Sequence, residues 1–288
     1  MKIGVSSYSF QGLISEGKET QLSIIKTAKE MGFDGIEFTD LNTPGNMSEK
    51  EYAREIREEC EKYSLPVISY TIGADMLSLE EGSNEKEVER VCRKLKIAKE
   101  LGAPSLRHDI AWGIPDNLPF ETFDDCLDIM ADGARKITLF AKSLGIRTMT
   151  ENHGFFCQDS ERVERIIREV GDDNFGALID IGNFSCADED NVPAVRRMLP
   201  YAFHIHAKDF HIKGAQEADP GEGFFKSRGG NYLRGAIIGH GNVDVYSCIK
   251  VIKASGYDGY ISVEFEGMED SIKGIRVGAE NLRRFIEN

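Results

Sequence analysis

The sequence predicts a single-domain (β/α)8 barrel, or TIM barrel, that spans residues 1–288. Three observations support this fold class: the length, the alternation of short apolar runs with long amphipathic segments, and a glycine that recurs between them. A barrel of this kind typically has about 250 residues. The alternation indicates parallel strands buried under helices, and eight such units indicate closure into a barrel.

Eight short apolar runs are the predicted strands. They are Ile3–Ser7, Gly35–Phe38, Val67–Tyr70, Ser105–Arg107, Arg147–Thr150, Gly176–Ile179, Ala202–Ala207 and Tyr260–Phe265. Between the runs, apolar side chains recur every three or four residues, which is the spacing of an amphipathic helix. The predicted helices lie near residues 19–31, 48–63, 84–101, 122–143, 158–170, 190–199, 243–255 and 270–286. Ser48 and Glu51 have the spacing of a capping box at the start of the second helix.

A glycine separates four of the predicted helices from the strand that follows. These glycines are Gly32, Gly102, Gly145 and Gly256. Glycine is favoured just past a helix because the chain there often adopts the left-handed conformation. A doubly wound open sheet is the alternative architecture, but the first strand is not followed by the G-x-G-x-x-G motif of dinucleotide-binding folds.

Composition restricts the class of function. The formal net charge is −14, with 41% apolar and 29% charged residues. Such an acidic globular chain repels nucleic-acid phosphate and anionic membranes. The six cysteines include no C-x-x-C pair, which argues against a zinc ribbon, a redox dithiol or a disulfide framework. No apolar run approaches the roughly 18 residues of a membrane span. We therefore expect a cytoplasmic protein without nucleic-acid or membrane partners. The sequence is compatible with a homo-oligomer.

One connection, at about residues 210–242, is unusually long and rich in glycine. Loops of this length in a compact domain are usually functional, so we predict an active-site loop that acts as a lid. Its basic residues are Lys213, Lys226, Arg228 and Arg234. The alternative interpretation is a flexible surface insertion.

Four successive predicted strands end in potential metal ligands: Glu151, Asp180, His206 and Glu264. The active site of a (β/α)8 barrel lies at the carboxyl ends of its strands, so these side chains should converge. Three carboxylates at close range raise each other's pKa unless a cation lies between them. We therefore predict one divalent metal ion, with Mn²⁺ preferred and Mg²⁺, Co²⁺ or Zn²⁺ also compatible with the ligands. His204, two residues before His206, is the alternative imidazole.

Six further residues are candidates for contacts with a substrate. They are Glu37, His108, His153, Asn183, Lys208 and Arg228. Glu37 ends the second strand, where a structural salt bridge is an equal alternative. Lys208 could polarise a substrate oxygen or pair with Asp209, and Trp112 could form an apolar wall against a sugar.

The strings TENHG, LIDIGNF, HIHAKD and SVEFEG, in this order and spacing, resemble the xylose isomerase-like TIM-barrel superfamily. That group includes sugar isomerases, ketose 3-epimerases, inosose dehydratases and endonuclease IV. The resemblance implies that Glu151, Asp180, His206 and Glu264 bind the metal, and that Glu151 and Glu264 are also the catalytic acid/base pair. Members usually carry a histidine three residues after the sixth-strand aspartate. This chain has Asn183 there, which can hydrogen-bond a substrate hydroxyl but cannot transfer a proton.

The expected function is a metal-dependent isomerase or epimerase that acts on a small keto-sugar, sugar acid or related polyol through an enediolate. A lyase or dehydratase that uses the same metal site on a keto-sugar or inosose is the alternative. More remote alternatives are a phosphodiesterase like endonuclease IV and a non-catalytic sugar-binding barrel. The small number of histidines at the strand ends argues against the multi-metal nuclease.

Overall fold

The computed structural model describes residues 1–80 and 82–288. Eight parallel strands form the barrel: β1 (Lys2–Ser6), β2 (Gly35–Thr39), β3 (Val67–Ile72), β4 (Ser105–His108), β5 (Arg147–Glu151), β6 (Phe175–Asp180), β7 (Ala202–Ala207) and β11 (Tyr260–Val263). They close in the order β1-β11-β7-β6-β5-β4-β3-β2. The predicted single-domain TIM barrel is confirmed, and the closed order excludes the open doubly wound sheet.

Helices surround the barrel. They are α1 (Gln11–Ser15), α2 (Ser23–Glu30), α3 (Glu49–Tyr63), α4 (Glu85–Leu101), α5 (Phe123–Leu144), α6 (Ser160–Val170), α7 (Asn191–Met198), α8 (Val245–Ala254) and α9 (Ser271–Glu287). Each of the eight predicted helices has a counterpart with bounds within a few residues, and the short α1 is additional. Within residues 1–80 and 82–288, no helix is long and apolar enough to cross a membrane.

Local sequence signals explain where several helices begin and end. Ser48 accepts a hydrogen bond from the backbone of Glu51 and the Glu51 carboxylate accepts one in return, so the predicted capping box is present. Gly102 and Gly145 follow α4 and α5 with φ angles of 76° and 73°. A side chain would be strained at these angles, so glycine ends each helix and turns the chain into the next strand.

The long connection contains regular structure that was not predicted. Residues 209–236 form an antiparallel sheet of β8 (Asp209–Lys213), β9 (Phe225–Lys226) and β10 (Tyr232–Ala236), in the order β8-β10-β9. The Asp188 carboxylate holds its tip, because it accepts hydrogen bonds from Ser227 Oγ at 2.6 Å and Asn231 Nδ2 at 2.7 Å. The connection is therefore a small sheet fastened to the barrel, and not a flexible insertion.

The buried Asp209 carboxylate fixes the point where this connection returns to the barrel. It accepts hydrogen bonds from the backbone N–H groups of Phe210, Gly239, Gly241 and Val243, at 2.8, 2.9, 2.8 and 3.1 Å. One side chain thus satisfies three backbone donors of the loop and one of β8. These contacts tie the turn before α8 to the start of β8.

We predict that Asp209→Ala lowers the free energy of unfolding by about 2–6 kcal/mol, because the hydrogen bonds from Phe210 and Val243 are buried and each buried donor left without an acceptor costs about 1–3 kcal/mol. Urea denaturation followed by circular dichroism would measure the loss. Glu222→Ala, at an exposed position of the same connection, is the control and should change stability by less than about 0.5 kcal/mol. Equal stabilities of the two variants would contradict the role given to Asp209.

Candidate metal centre and substrate cavity

A cavity of about 560 Å³ opens at the carboxyl ends of the barrel strands. Its buried side includes Glu151 at the end of β5, Lys208 directly after β7 and Glu264 directly after β11. This is the end of the barrel where (β/α)8 enzymes place their active sites. The cavity is therefore the candidate functional site.

The structure brings together the four predicted metal ligands. Glu151, Asp180, His206 and Glu264 each offer one ligand atom, and these atoms all lie within 4.8 Å of one another. His206 Nδ1 lies 3.4 Å from Glu264 Oε1, 3.8 Å from Glu151 Oε1 and 3.9 Å from Asp180 Oδ2. Each residue comes from a different barrel strand or the position just after it, so the closed barrel itself assembles the cluster.

The electrostatics of the cluster fit a divalent cation. Among the described residues, the buried His206 Nδ1 has no hydrogen-bond partner, and the buried Asp180 Oδ2 accepts no hydrogen bond although Lys208 Nζ lies 3.2 Å away. Burial raises the pKa of Asp180 to about 7; Lys208 opposes this rise, while Glu264 and Glu151 add to it. A metal ion would stabilise buried ligand atoms that make no hydrogen bond and lie beside mutually repelling carboxylates. The cluster is thus consistent with a divalent metal site.

Glu37 supports the histidine side of the cluster from across the barrel. Its completely buried carboxylate lies 2.5 Å from His206 Nε2 and 3.2 Å from His204 Nε2, and His204 Nε2 is also 2.8 Å from Ser262 Oγ. Burial alone would raise the pKa of Glu37, but the two histidines outweigh it and hold that pKa below its ordinary value. The salt-bridge alternative therefore applies to Glu37. It orients His206 so that Nδ1 faces the carboxylates, and it is not among the residues described as lining the cavity.

Lys208 and Asn183 connect the carboxylates of the cluster. Lys208 Nζ lies 2.6 Å from Glu264 Oε2 and 3.2 Å from Asp180 Oδ2, so it pairs with the cluster and not with Asp209. Asn183 Nδ2 donates to Glu151 Oε1 at 3.0 Å, and Asn183 Oδ1 accepts from Lys208 at 3.2 Å. Lys208 lines the cavity, whereas Asn183 lies behind it and holds Glu151 in place.

A second chain of charges runs from Glu151 to His153; both ends were predicted from the sequence, but Asp109, which connects them, was not. Arg107 Nη2 lies 2.6 Å from Glu151 Oε2 and 2.8 Å from Asp109 Oδ1. The same Asp109 oxygen lies 3.0 Å from His153 Nδ1, and the Trp112 ring meets the His153 ring edge-on at 5.1 Å. The sequence did contain a signal for Asp109. Side chains alternate along a strand, so Asp109, two residues after Arg107, lies on the same face as Arg107.

Two further predicted substrate contacts also lie outside the cavity lining. The cavity lining in the described part of the chain includes neither His108 nor Arg228. His108 is buried, with its ring 5.9 Å from Phe175 and its Nδ1 2.8 Å from the Asp109 carbonyl, because it points to the opposite face of β4 from Arg107. Arg228 instead donates to the Phe155 carbonyl and to Asp159 at 2.8 Å.

The predicted lid does not cover the site in this structure. Within the described residues, none of positions 210–242 lines the cavity. Lys213, Lys226 and Arg234 therefore contribute no cation to it. The sheet formed by β8, β9 and β10 lies beside the mouth, where Gly235 pairs with Gly267 just beyond Glu266.

Comparisons with known proteins agree with this geometry. A model of the xylose isomerase-like TIM barrel family matches residues 25–285. An inosose dehydratase of Mesomycoplasma hyopneumoniae is 26% identical over 259 residues, which cover 85% of this chain and 82% of that one. An inosose dehydratase of Clostridium perfringens is 25% identical over a match that covers 48% of this chain. The same match spans about half (46%) of the length of that relative.

The fold is also that of solved enzymes. The crystal structure of 3-keto-D-glucoside 4-epimerase from E. coli superposes with a TM-score of 0.72 and a sequence identity of 20%. The superposition covers 99% of each chain. At this identity the likeness concerns the fold alone. Together with the family match over most of the chain, it leads to one conclusion: the protein belongs to the xylose isomerase-like TIM barrel family.

Proposed function

We propose that the protein is a divalent-metal-dependent isomerase or epimerase that acts on a small keto-sugar, sugar acid or related polyol through an enediolate. The observation that carries the proposal is the placement of Glu151 and Glu264. Both carboxylates line the cavity and both belong to the four-residue cluster, and their strands, β5 and β11, flank β6 and β7 in the barrel order. A substrate held at the cluster would lie between two groups able to transfer protons.

Glu151, Asp180, His206 and Glu264 are the residues that would hold the metal ion. A divalent ion bound there supplies positive charge that stabilises the negative oxygen of an enediolate. We propose Mn²⁺, while the mixed oxygen and imidazole ligands also suit Mg²⁺, Co²⁺ or Zn²⁺.

The chain's own residues supply proton transfer. One carboxylate removes the weakly acidic proton beside the substrate carbonyl, and the other returns a proton to the opposite face, which inverts the carbon. Arg107 lies 2.6 Å from Glu151 and Lys208 lies 2.6 Å from Glu264. These cations hold the two carboxylates apart and in fixed orientations.

A dehydratase is the second candidate, and the Asp109–His153 pair favours it. Asp109 holds Nδ1 of His153, which leaves Nε2 as the nitrogen available to a substrate in the cavity. A histidine oriented in this way could protonate a departing hydroxyl after the α-proton has been removed. The similarity to inosose dehydratases supports the same alternative.

We predict that Asp180→Ala largely abolishes metal binding and that Glu37→Gln weakens it about 10- to 100-fold, the usual effect of losing a carboxylate that orients a ligand histidine. Elemental analysis and Mn²⁺ titration of metal-free protein would measure both effects. Glu266→Gln is the matched control, because Glu266 lines the cavity but lies outside the cluster. Full metal occupancy in Asp180→Ala would rule out the assigned ligands.

We expect Glu151→Gln and Glu264→Gln each to lower turnover about 10²-fold or more, because glutamine keeps an oxygen ligand but removes the base. In an epimerase the two variants should differ in the substrate C–H that still exchanges with D2O, which NMR would detect. Normal turnover by a fully metal-loaded Glu264→Gln protein would exclude Glu264 as a catalytic base.

His153→Gln distinguishes the two candidates. In a dehydratase it should slow release of water about 10²-fold while α-proton exchange with D2O continues, because only the leaving-group acid is lost. In an epimerase, inversion should change much less. NMR of inososes and keto-hexoses would follow both reactions, with His240→Ala, at an exposed position, as the control. A dehydratase whose water release is unaffected by His153→Gln would remove His153 from the mechanism.

A further inference from the structure

The cavity is larger than the proposed reaction on a single sugar ring requires. A hexose occupies roughly 180 Å³, taken as about six times the volume of a water molecule. The cavity, at about 560 Å³, could hold a hexose at the metal cluster together with a second ring.

The additional space lies opposite the cluster. In the closed strand order, β2 and β3 stand across the barrel from β6 and β7, which supply Asp180 and His206. Polar residues at and after the ends of β2 and β3 line this side of the cavity; we call Thr39, Asp40, Asn42 and Thr71 the distal group.

Hydrogen bonds hold the backbone of the distal group between residues 40 and 42 in place. The buried side chain of Gln21 donates to the Asp40 carbonyl at 3.1 Å and accepts from the Asn42 N–H at 2.8 Å. The Asp40 carboxylate is paired with Lys94 Nζ at 2.8 Å. A segment fixed in this way loses little conformational entropy when it binds a ligand, which favours a binding function.

The charges of the distal group select the chemistry of its ligand. The cations that line the described cavity, Arg107 and Lys208, lie at the cluster and are paired with Glu151 and Glu264. Asp40 is the charged member of the distal group, and Lys94 behind it is shared with Glu49 at 2.5 Å. A phosphate there would face a carboxylate without a free cation, whereas sugar hydroxyls could donate to it.

We propose that the distal group forms a second subsite that binds a neutral, hydroxyl-bearing ring, so that the substrate is a keto-glycoside of disaccharide size and not a sugar phosphate. The proposal rests on the proposed function in that the keto-sugar ring lies at the cluster. The second ring then extends across the barrel to the ends of β2 and β3.

The test compares three probes in D2O with the metal-loaded protein: 3-keto-glucose, 3-keto-cellobiose and 3-keto-glucose 6-phosphate. The rate of α-proton exchange at limiting concentration, measured by NMR, should be at least about tenfold higher for the keto-disaccharide than for the others, which corresponds to two neutral hydrogen bonds. An equal or higher rate with the monosaccharide or with its phosphate would overturn the proposal.

One variant locates the effect. Asn42→Ala should lower the exchange rate of the keto-disaccharide about fivefold, the usual effect of one neutral hydrogen bond, and leave that of 3-keto-glucose unchanged. Asn46→Ala, at an exposed position of the same loop, is the matched control and should change neither rate. Equal losses with both probes would show that Asn42→Ala disturbs the cluster and would refute the subsite.

A binding measurement separates failure of the subsite from failure of the proposed function. Unoxidised cellobiose does not require a catalytic step, so its binding can be followed by ligand-observed NMR even if no keto-sugar exchanges its protons. Weak binding that Asn42→Ala reduces would support the subsite in that case. If the wild-type protein does not bind cellobiose more tightly than glucose, the subsite is wrong, whatever the outcome of the exchange experiment.

Discussion

The confinement of three carboxylates and a histidine at one end of a closed barrel is the constraint on which the rest of the site depends. Glu151, Asp180 and Glu264 are buried together, and burial of like charges is costly unless positive charge is supplied. The surrounding residues supply part of it, since Lys208 and Arg107 contact the outer carboxylate oxygens. The other carboxylate oxygens, Glu264 Oε1 and Glu151 Oε1, lie 3.4 and 3.8 Å from His206 Nδ1.

The barrel geometry converts this constraint into a usable site. Side chains alternate along each strand, so β7 directs His204 and His206 to the interior, while Ile205 and Ala207 pack against the helices. Glu37 reaches both histidines from β2 through the interior. The Glu37 carboxylate thus holds the His206 imidazole through Nε2, and Nδ1 of the same ring faces the three carboxylates of the cluster. A flexible loop could not maintain this arrangement.

Much of this arrangement could be predicted from the sequence, because it follows from the spacing of apolar residues along the chain and from the polar residues at the ends of the strands. The strand ends identified Glu151, Asp180, His206 and Glu264, and the glycines after the helices marked the units of the barrel. Contacts between distant parts of the chain could not be predicted in this way. The pairing of Glu37 with two histidines depends on barrel closure, and the position of His108 depends on which face of β4 it occupies. The contacts of Arg228 could not be predicted either, because residues 209–236 form a sheet with its own hydrogen bonds, and a count of glycines does not reveal that pairing.

The position of the cluster within the chain has a consequence for how such a protein could change over time. All four cluster residues lie in the second half of the chain, between β5 and the segment after β11, whereas the residues on the other side of the cavity come from β2, β3 and the loops after them. Glu37 on β2 also contacts His206, but it does so through the barrel interior and not through the cavity. Substitutions in the loops after β2 and β3 could therefore alter one side of the cavity while the four cluster residues keep their positions. The two sides of the cavity can thus vary separately within one domain.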